Sequence, residues 1–285
     1  MKYFIVDAFS DVAFGGNPAG VVLLGDNDFP SEKFMRQVAA EFRYSETAFV
    51  KQNDVAEFTV RYFTPVDEVD LCGHATIATF GVLFKTGMVA NDTMCLNHTL
   101  AGDLQVRVGE QVMMQMAPPQ VIDTAVDAEL LHSIMGAGPA HSELPIEIVS
   151  TGLPDIIMPV ASVEVLQSLR PHMDNLAKLS KELGVTGVHA VAFASDGYTA
   201  HVRNFGPLYG VNEESATGTA NAALTHYLHR QGIISCPHKC RFLQGEAMCR
   251  PSVVVTHLMG NGEIWAGGTS AIVAHGRALS KIKLL

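Results

Sequence analysis

The sequence predicts an α+β protein of two similar domains, each a curved, barrel-like and mostly antiparallel sheet around a central helix. Two glycine-bounded segments of equal length, GHATIATFGVLFKTG (73–87) and GTANAALTHYLHRQG (218–232), lie about 145 residues apart. Each follows strand-like runs, and each is preceded by a similar motif, RYFTP (61–65) or RNFGP (203–207). Further upstream, residues 39–50 and 180–193 both have the pattern of a helix end, a turn and a strand. Three matches in the same order, one of them of equal length, indicate an internal duplication. The spacing exceeds the ~20–50 residues of a solenoid repeat, so it favours two similar domains.

Composition and charge restrict the class of protein. The chain has 285 residues, of which 48% are hydrophobic and 17% charged, so it can bury a large core and is not expected to be disordered. The net charge is −10 without a lysine–arginine cluster, so nucleic acid is not an expected partner. The sequence contains neither a signal-peptide pattern nor an apolar run of ~18 residues, so we expect a cytoplasmic protein without a membrane partner. Five cysteines in a chain of this length are typical of reduced thiols.

The first half is expected to form a domain over residues 1–118. Its central helix begins at Gly73, is apolar or small at almost every position, and carries a single charge, Lys85. A helix that is apolar all round is buried on all sides, which places it inside the curved sheet. Gly87 suits a left-handed cap at its end. Alternating apolar residues predict the strands of this sheet at residues 3–9, 20–24, 47–50, 58–63, 93–97, 104–108 and 111–116.

The second half is expected to form a domain over residues 119–285, after a linker at APPQ (117–120). Its central helix is the second glycine-bounded segment, which begins at Gly218 and ends at Gly232. Two positions are open for the last strand of this half, within this domain or packed back on the first domain. The predicted strands of this half are residues 146–150, 155–160, 189–193, 199–204, 240–246, 252–259 and 263–267.

The starts of the two central helices are the expected binding site. The first peptide N–H groups of a helix have no partner within the helix and carry partial positive charge, so they form an anion site. Gly73 and Gly218 let a ligand approach this backbone closely, and the N–H of Thr219 adds to the second start. We therefore expect a small carboxylate-bearing metabolite in the cleft between the domains. Close packing is the alternative explanation for the two glycines. Asn17 is a further substrate-binding candidate, although turn geometry alone also explains an asparagine there.

Three motifs of the first half resemble the family named after the phenazine-biosynthesis isomerase PhzF: FGGNPAGV (14–21), SETAFV (45–50) and RYFTPVDEVDLCGHAT (61–76). The resemblance covers nearly the whole chain and implies the diaminopimelate epimerase fold, with an active site between two similar domains. It also implies that Glu46, the acid of SETAFV, is the acid/base. The family's second motif reads Glu-Asp-Pro, then Ala or Val, then Thr-Gly-Ser, and this chain has EESATGT (213–219). Glu214 stands where the family has Asp and Ser215 where it has Pro, so the family's substrate is not carried over.

The residues that precede the two helix glycines argue against a two-thiol mechanism. In the related epimerases and racemases each central helix starts with a cysteine next to the glycine, and the two thiols exchange protons with opposite faces of the substrate. Here Cys72 precedes one glycine, but Thr217 precedes the other. A threonine hydroxyl without activation is far less acidic than a thiol and does not act as a base near neutral pH. A two-base racemase is therefore disfavoured.

A single acid in one half of the duplication favours a one-base mechanism. Glu46 has no acidic counterpart near Gly187 in the second half. A carboxylate in an apolar setting has a raised pKa, which suits proton transfer. From the residues alone, an ordinary surface acid at a helix-to-strand turn is the better explanation of Glu46. The resemblance reverses this and favours the acid/base. His74 and Glu214 are expected to orient the substrate.

The predicted function is a cofactor-independent isomerase that moves a proton on a small carboxylic acid, with catalytic residues Glu46, His74 and Glu214. Asn17, Cys72, Gly73, Thr217, Gly218 and Thr219 are the expected substrate-binding residues. The alternative is a small-acid binding or regulatory protein that keeps the fold without turnover. No metal or cofactor is predicted, because CPHKC (236–240) has poor spacing for zinc and no nucleotide or hydrolase motif occurs. A homodimer is the expected assembly.

Overall fold

The computed structural model describes residues 1–137 and 142–277. The chain divides into two compact units, the first formed by Met1–Gln115 together with the segment that begins at Gly267, the second by Met116–Ala266. The predicted domain ranges, 1–118 and 119–285, stay predictions. Among the described residues, no helix has the length and apolar character that crossing a bilayer requires.

Ten helices and strands occupy the first 115 residues in chain order. They are β1 (Lys2–Ala8), β2 (Asn17–Leu23), α1 (Glu32–Phe42), β3 (Thr47–Asp54), β4 (Glu57–Phe63), β5 (Glu68–Val69), α2 (Gly73–Lys85), β6 (Thr93–Thr99), β7 (Gly102–Val108) and β8 (Val112–Gln115).

The rest of the described chain adds four α-helices and ten strands. They are β9 (Gln120–Ile122), α3 (Ala128–Met135), β10 (Glu147–Ser150), β11 (Pro154–Pro159), α4 (Val163–Ser168), α5 (Met173–Leu183), β12 (Gly187–Ala192), β13 (Ala200–Gly206), β14 (Val211–Glu214), α6 (Gly218–Arg230), β15 (His238–Gln244), β16 (Ser252–Leu258), β17 (Ile264–Gly268) and β18 (Ser270–Arg277).

In the first unit, strands surround the buried helix α2. β1 pairs antiparallel with β2 and β18, β2 pairs parallel with β3, β3 and β4 are antiparallel, and β4 pairs parallel with β6. All ten residues from His74 to Leu83 are buried, and the helix contacts β1, β2, β3, β7, β8 and β18. Glycines and β-branched residues make α2 an intrinsically poor helix. Burial compensates, because each large side chain such as Phe80 contributes ~1.5–3 kcal/mol.

The second unit repeats this arrangement around α6. β11 pairs parallel with β12, β12 and β13 are antiparallel, and β13 pairs parallel with β15. The helix is buried along most of its length and contacts β10, β11 and β16. A separate apolar core lies under α3, α4 and α5, where Leu131, Leu166 and Leu176 are fully buried. The two central helices therefore both form as predicted, with their first residues at Gly73 and Gly218.

The duplicated RxF motifs form the same interaction in each unit. The Arg61 guanidinium binds the Glu68 carboxylate on β5, with Nε 2.7 Å from Oε1, and lies over the Phe63 ring. The Arg203 guanidinium binds the Glu213 carboxylate on β14, with Nε 2.8 Å from Oε1, and lies over the Phe205 ring. Equivalent bidentate pairs on equivalent strands support the internal duplication.

Several elements differ from the sequence predictions. Gln120 begins β9, so the predicted linker at 117–120 is wrong at its last residue. The short strands β5, β9 and β14, the helices α3 and α4, and the final strand β18 were not predicted. β18 is paired with β1 from the opposite end of the chain, and such a distant partner leaves no local signal.

Candidate functional site

The start of α2 has no side-chain cap from its N-cap residue. Cys72 is the N-cap residue, with extended backbone (φ −136°, ψ 115°), and its side chain makes no capping hydrogen bond. Gly73 has neither a positive φ nor crowded surroundings, since an added Cβ would meet only the Met114 methyl group, at 3.8 Å. Close packing therefore does not explain this glycine. The absent side chain leaves the helix start open to a ligand.

Glu46 lies between α1 and β3 and faces the start of α2. Arg43 ends α1 in the left-handed conformation (φ 61°), and the Glu46 carbonyl accepts a hydrogen bond from the Gly20 N–H at 3.2 Å. These contacts fix the backbone on both sides of the short turn. The Glu46 side chain is 19% exposed, and its Oε2 lies 3.3 Å from His74 Nε2.

His74 joins two of the predicted site residues. Its ring is buried, with Nε2 facing Glu46 and also lying 3.3 Å from Ser45 Oγ. The other nitrogen, Nδ1, lies 3.4 Å from Cys72 Sγ. We call Glu46, Cys72 and His74 the acid–thiol–imidazole cluster. The structure thus brings three of the predicted residues together.

The acid–thiol–imidazole cluster also has the donors of a metal site. One ligand atom from each residue lies within 4.8 Å of the others, and no second group of this kind occurs among residues 1–137 and 142–277. A carboxylate, a thiolate and an imidazole are suitable zinc ligands. The positive end of α2 at Cys72 opposes a bound cation, however. The absence of a metal stays a prediction. Of the cysteines near CPHKC, Cys236 and Cys249 are exposed and Cys240 is buried.

Three side chains that the sequence did not indicate form a hydrogen-bonded chain that ends on the backbone of the cluster. The Thr76 hydroxyl donates to the Cys72 carbonyl at 2.8 Å, and Thr76 Oγ1 lies 2.6 Å from the Tyr62 hydroxyl oxygen. Asn97 Nδ2 donates to the same Tyr62 oxygen at 3.1 Å. Burial raises the pKa of Tyr62, so the phenol stays neutral. The only available signal was a threonine four residues after the N-cap.

The start of α6 has the same backbone design with different side chains. Thr217 is the N-cap, with extended backbone (φ −130°, ψ 101°) and no capping bond from its side chain. Its hydroxyl instead donates to Glu214 Oε2 at 2.6 Å. Asn221 Nδ2 donates to the Thr217 carbonyl at 2.9 Å, as Thr76 does to Cys72 in α2. Thr217 therefore positions the Glu214 carboxylate. The N-cap of α6 thus carries neither a thiol nor another base in the place that Cys72 occupies at α2.

Gln244, which the sequence did not indicate, ties the start of α6 together. Its Oε1 accepts the Thr217 N–H at 3.1 Å and the Asn221 amide at 2.9 Å, and its Nε2 donates to the Glu214 carbonyl at 2.8 Å. We call Glu214, Thr217, Asn221 and Gln244 the α6 network. The carbonyl of Thr219, also predicted, accepts a hydrogen bond from Thr151 Oγ1 at 2.9 Å.

The remaining predicted residues lie at the edges of elements. Asn17 is buried at the start of β2, opposite Ala8 on β1. Gly218 is the buried first residue of α6. The roles of these residues stay predictions.

Comparison with known proteins identifies the family. A family model described as phenazine biosynthesis-like protein matches residues 6–276. The chain belongs to this family. A trans-2,3-dihydro-3-hydroxyanthranilate isomerase from Pseudomonas fluorescens is 32% identical over 271 residues, which cover 92% of each chain.

Solved structures agree with this membership. The crystal structure of a PhzF-family phenazine biosynthesis protein from Bacillus anthracis has a TM-score of 0.89 and 28% identity, covering 98% of this chain and 99% of that one. A probable proline racemase from Agrobacterium radiobacter has a TM-score of 0.62 at 16% identity, covering 98% and 93% respectively, and shows the shared fold alone. The predicted resemblance, the epimerase-like fold and the isomerase class of enzyme are confirmed.

Proposed function

We propose that this chain is a cofactor-independent isomerase that moves a proton on a small carboxylic acid, with Glu46 as its single acid/base. The observation that carries the proposal is the acid–thiol–imidazole cluster at the open start of α2. Glu46 is held 3.3 Å from the buried His74 ring, on the side where the helix favours negative charge.

Hydrogen-bond donors and acceptors in the cluster match when Glu46 carries the negative charge. With the proton of neutral His74 on Nε2, the ring donates to the Glu46 carboxylate and Nδ1 accepts from the Cys72 thiol. This tautomer is assigned from the contacts. Each of the three groups then has a partner, and the one ionised group is the carboxylate. Glu46 is thus ready to accept a proton.

The reaction balances without a redox partner. Glu46 removes a proton from a carbon of the substrate, and the electron pair delocalises toward an adjacent unsaturated or carboxyl group. The same Glu46 then returns the proton to a different carbon. His74 and the N–H groups after Cys72 stabilise the negative charge that develops between the two steps. The substrate leaves with its double bond shifted and Glu46 ionised again.

We assign Glu214 to the orientation of the substrate. Its carboxylate is partly buried and accepts the Thr217 hydroxyl. A carboxylate accepts several hydrogen bonds, so it also suits an amine or hydroxyl group of a ligand. Backbone N–H groups at the starts of α2 and α6 hold negative groups. The predicted cytoplasmic location and homodimeric assembly stay predictions.

The proposed substrate class is a small unsaturated carboxylic acid that carries an amine or a hydroxyl. The relative from Pseudomonas fluorescens is named for trans-2,3-dihydro-3-hydroxyanthranilate, which belongs to this class. Glu214 and Ser215 depart from the family motif near the substrate-orienting position, so we extend only the class to this chain.

Deuterium incorporation from solvent tests the proposal. The chain is incubated in deuterated buffer with a panel of hydroxy-, amino- and unsaturated carboxylic acids that includes trans-2,3-dihydro-3-hydroxyanthranilate, and exchange is followed by mass spectrometry and NMR. We expect deuterium at carbon in at least one acid, at a rate unchanged by a chelator. Tight binding without exchange across the panel would replace the isomerase by the small-acid binding or regulatory protein.

A further inference from the structure

A buried carboxyl that the proposed mechanism does not use lies beside the α6 network. Asp155, on β11, is 1% exposed. Its Oδ1 has no hydrogen-bond partner among the residues that the structure describes. Burying an ionised carboxylate oxygen without a donor is costly, whereas the protonated acid is tolerated far better.

Strand register brings Glu214 and Asp155 into one polar region. On β13, Asn204 lies opposite Glu214 of β14 and opposite His189 of β12. Asn204 hydrogen-bonds the Asp155 carboxyl and lies 3.3 Å from His189 Nδ1 through its Nδ2. Asn221 of the α6 network lies 3.4 Å from the other nitrogen of His189.

Glu214 is the charged group that acts on Asp155. His189 on β12 is neutral near pH 7, because burial lowers its pKa to about 4. The neighbours on β13 and α6, Asn204 and Asn221, are uncharged, and the residue opposite on β10 is Val149. Burial first, and the charge of Glu214 second, raise the pKa of Asp155 to about 7, against the opposing hydrogen bond from Asn204.

We propose that Asp155 and Glu214 form a coupled carboxyl pair that shares one negative charge near neutral pH. In this pair Asp155 holds the proton and acts as a positioning residue for Glu214. Two ionised carboxylates that share the neighbour Asn204 in a largely buried region repel each other, so one of them holds a proton. Glu214 has a donor in Thr217 and lies at the positive start of α6, while the Asp155 Oδ1 has no donor. The proton therefore resides on Asp155, and Glu214 stays ionised.

This inference rests on the proposed role of Glu214 in orienting the substrate. Ionised Glu214 accepts hydrogen bonds from the Thr217 hydroxyl and from a ligand. When Asp155 also ionises, the second charge repels the Glu214 carboxylate from its place. The pair thus gives substrate orientation an upper pH limit.

Carbon-13 NMR of the aspartate and glutamate side-chain carboxyls in the full chain tests the pair without substrate. We expect one carboxyl of the wild type to titrate at about pH 7. That transition should be absent in Asp155→Asn, which keeps the shape and the contact to Asn204. It should shift down by about one unit or more in Glu214→Gln. Asp123→Asn, which removes an exposed acid of the same unit, should leave it in place.

The proposed coupling of Asp155 and Glu214 is contradicted if no carboxyl titrates above about pH 5, or if the transition persists in Asp155→Asn. A transition that is lost in Asp155→Asn but unmoved in Glu214→Gln shows a buried acid without coupling, which also overturns the proposal. If Asp155→Asn fails to fold, the Glu214→Gln shift decides alone. Because no turnover is needed, a failed exchange assay sinks the isomerase and leaves this result intact.

Discussion

The His74 imidazole ring links the acid to the thiol. Both of its nitrogens have a polar neighbour, the Glu46 carboxylate on one side and the Cys72 sulfur on the other. The ring is 5% exposed, so few waters compete for these contacts. With the proposed proton on Nε2, the ring donates to the Glu46 carboxylate and accepts from the Cys72 thiol.

Zinc should inhibit the protein rather than activate it. The cluster offers three donor atoms, but the positive start of α2 opposes a cation and the proposed chemistry needs Glu46 free. We expect added Zn²⁺ to inhibit exchange and a chelator to restore it. Cys72→Ala should weaken the inhibition by about tenfold or more, because one donor is lost. The measurement is exchange rate against zinc concentration, with Cys95→Ala as the control for a buried cysteine elsewhere. Loss of activity on chelation would make the metal a cofactor and contradict the account.

The starts of α2 and α6 are two versions of one structural element. In both, the N-cap residue has extended backbone and its side chain makes no capping hydrogen bond. The side chain of the fourth helix residue donates a hydrogen bond to the carbonyl of the N-cap residue. They differ in what stands at the N-cap. Cys72 faces an imidazole, whereas Thr217 holds the carboxylate of Glu214. The duplication therefore kept the backbone and changed the chemistry.

The α6 network predicts that Gln244 is a structural requirement of the second helix start. Gln244→Ala removes the acceptor for the Thr217 N–H and the Asn221 amide, and both are left without it in a buried region. We expect the free energy of unfolding to fall by about 2–4 kcal/mol. Gln120→Ala, at an exposed position on β9, should change it by no more than about 0.5 kcal/mol. Urea titration measures both, and a Gln244→Ala variant as stable as the control would show that the network contributes nothing.

Local patterns explain which elements the sequence could predict. Both central helices were predicted because they are apolar and bounded by glycines, and the structure begins them at the two expected glycines. α3 was missed although Asp127 caps it, since an eight-residue helix gives a short periodic signal. Glu46, Cys72 and His74 were predicted from motifs. Gln244 was not, because its contacts depend on β15 reaching the start of α6.

Across the whole molecule, the two units share a frame but differ in where their acids lie. The bidentate arginine pairs of the RxF motifs are equivalent. In the first unit an acid, Glu46, directly precedes β3, the second strand of a parallel pair. The corresponding position before β12 is Thr186, which is not an acid, and the buried Asp155 lies instead on β11 opposite Gly187. This asymmetry supports one proton-transferring acid rather than two.

Asp155 makes overall stability depend on pH. Its folded pKa, about 7, is raised above the ordinary 3.8. The folded state therefore binds this proton more tightly than the unfolded state, and the contribution is lost as pH rises from about 4 to about 7. Relative to Asp155→Asn, the wild type should lose up to about 4 kcal/mol over this window and nothing more above it. Urea unfolding at a series of pH values measures the difference. A difference that does not change with pH, as expected for Asp123→Asn, would contradict the assignment.

Comparison of Glu46→Gln with Cys72→Ala in the deuterium-exchange assay tests the central claim most directly. Glu46→Gln keeps the shape but cannot accept a proton, so exchange should fall by about two to four orders of magnitude with the fold intact. The exposed Glu41→Gln should exchange at the wild-type rate. Cys72→Ala should keep exchange within about tenfold and lose no more than about 1 kcal/mol of stability. If Cys72→Ala abolishes exchange while Glu46→Gln retains it, the thiol is the base and the one-carboxylate mechanism is wrong.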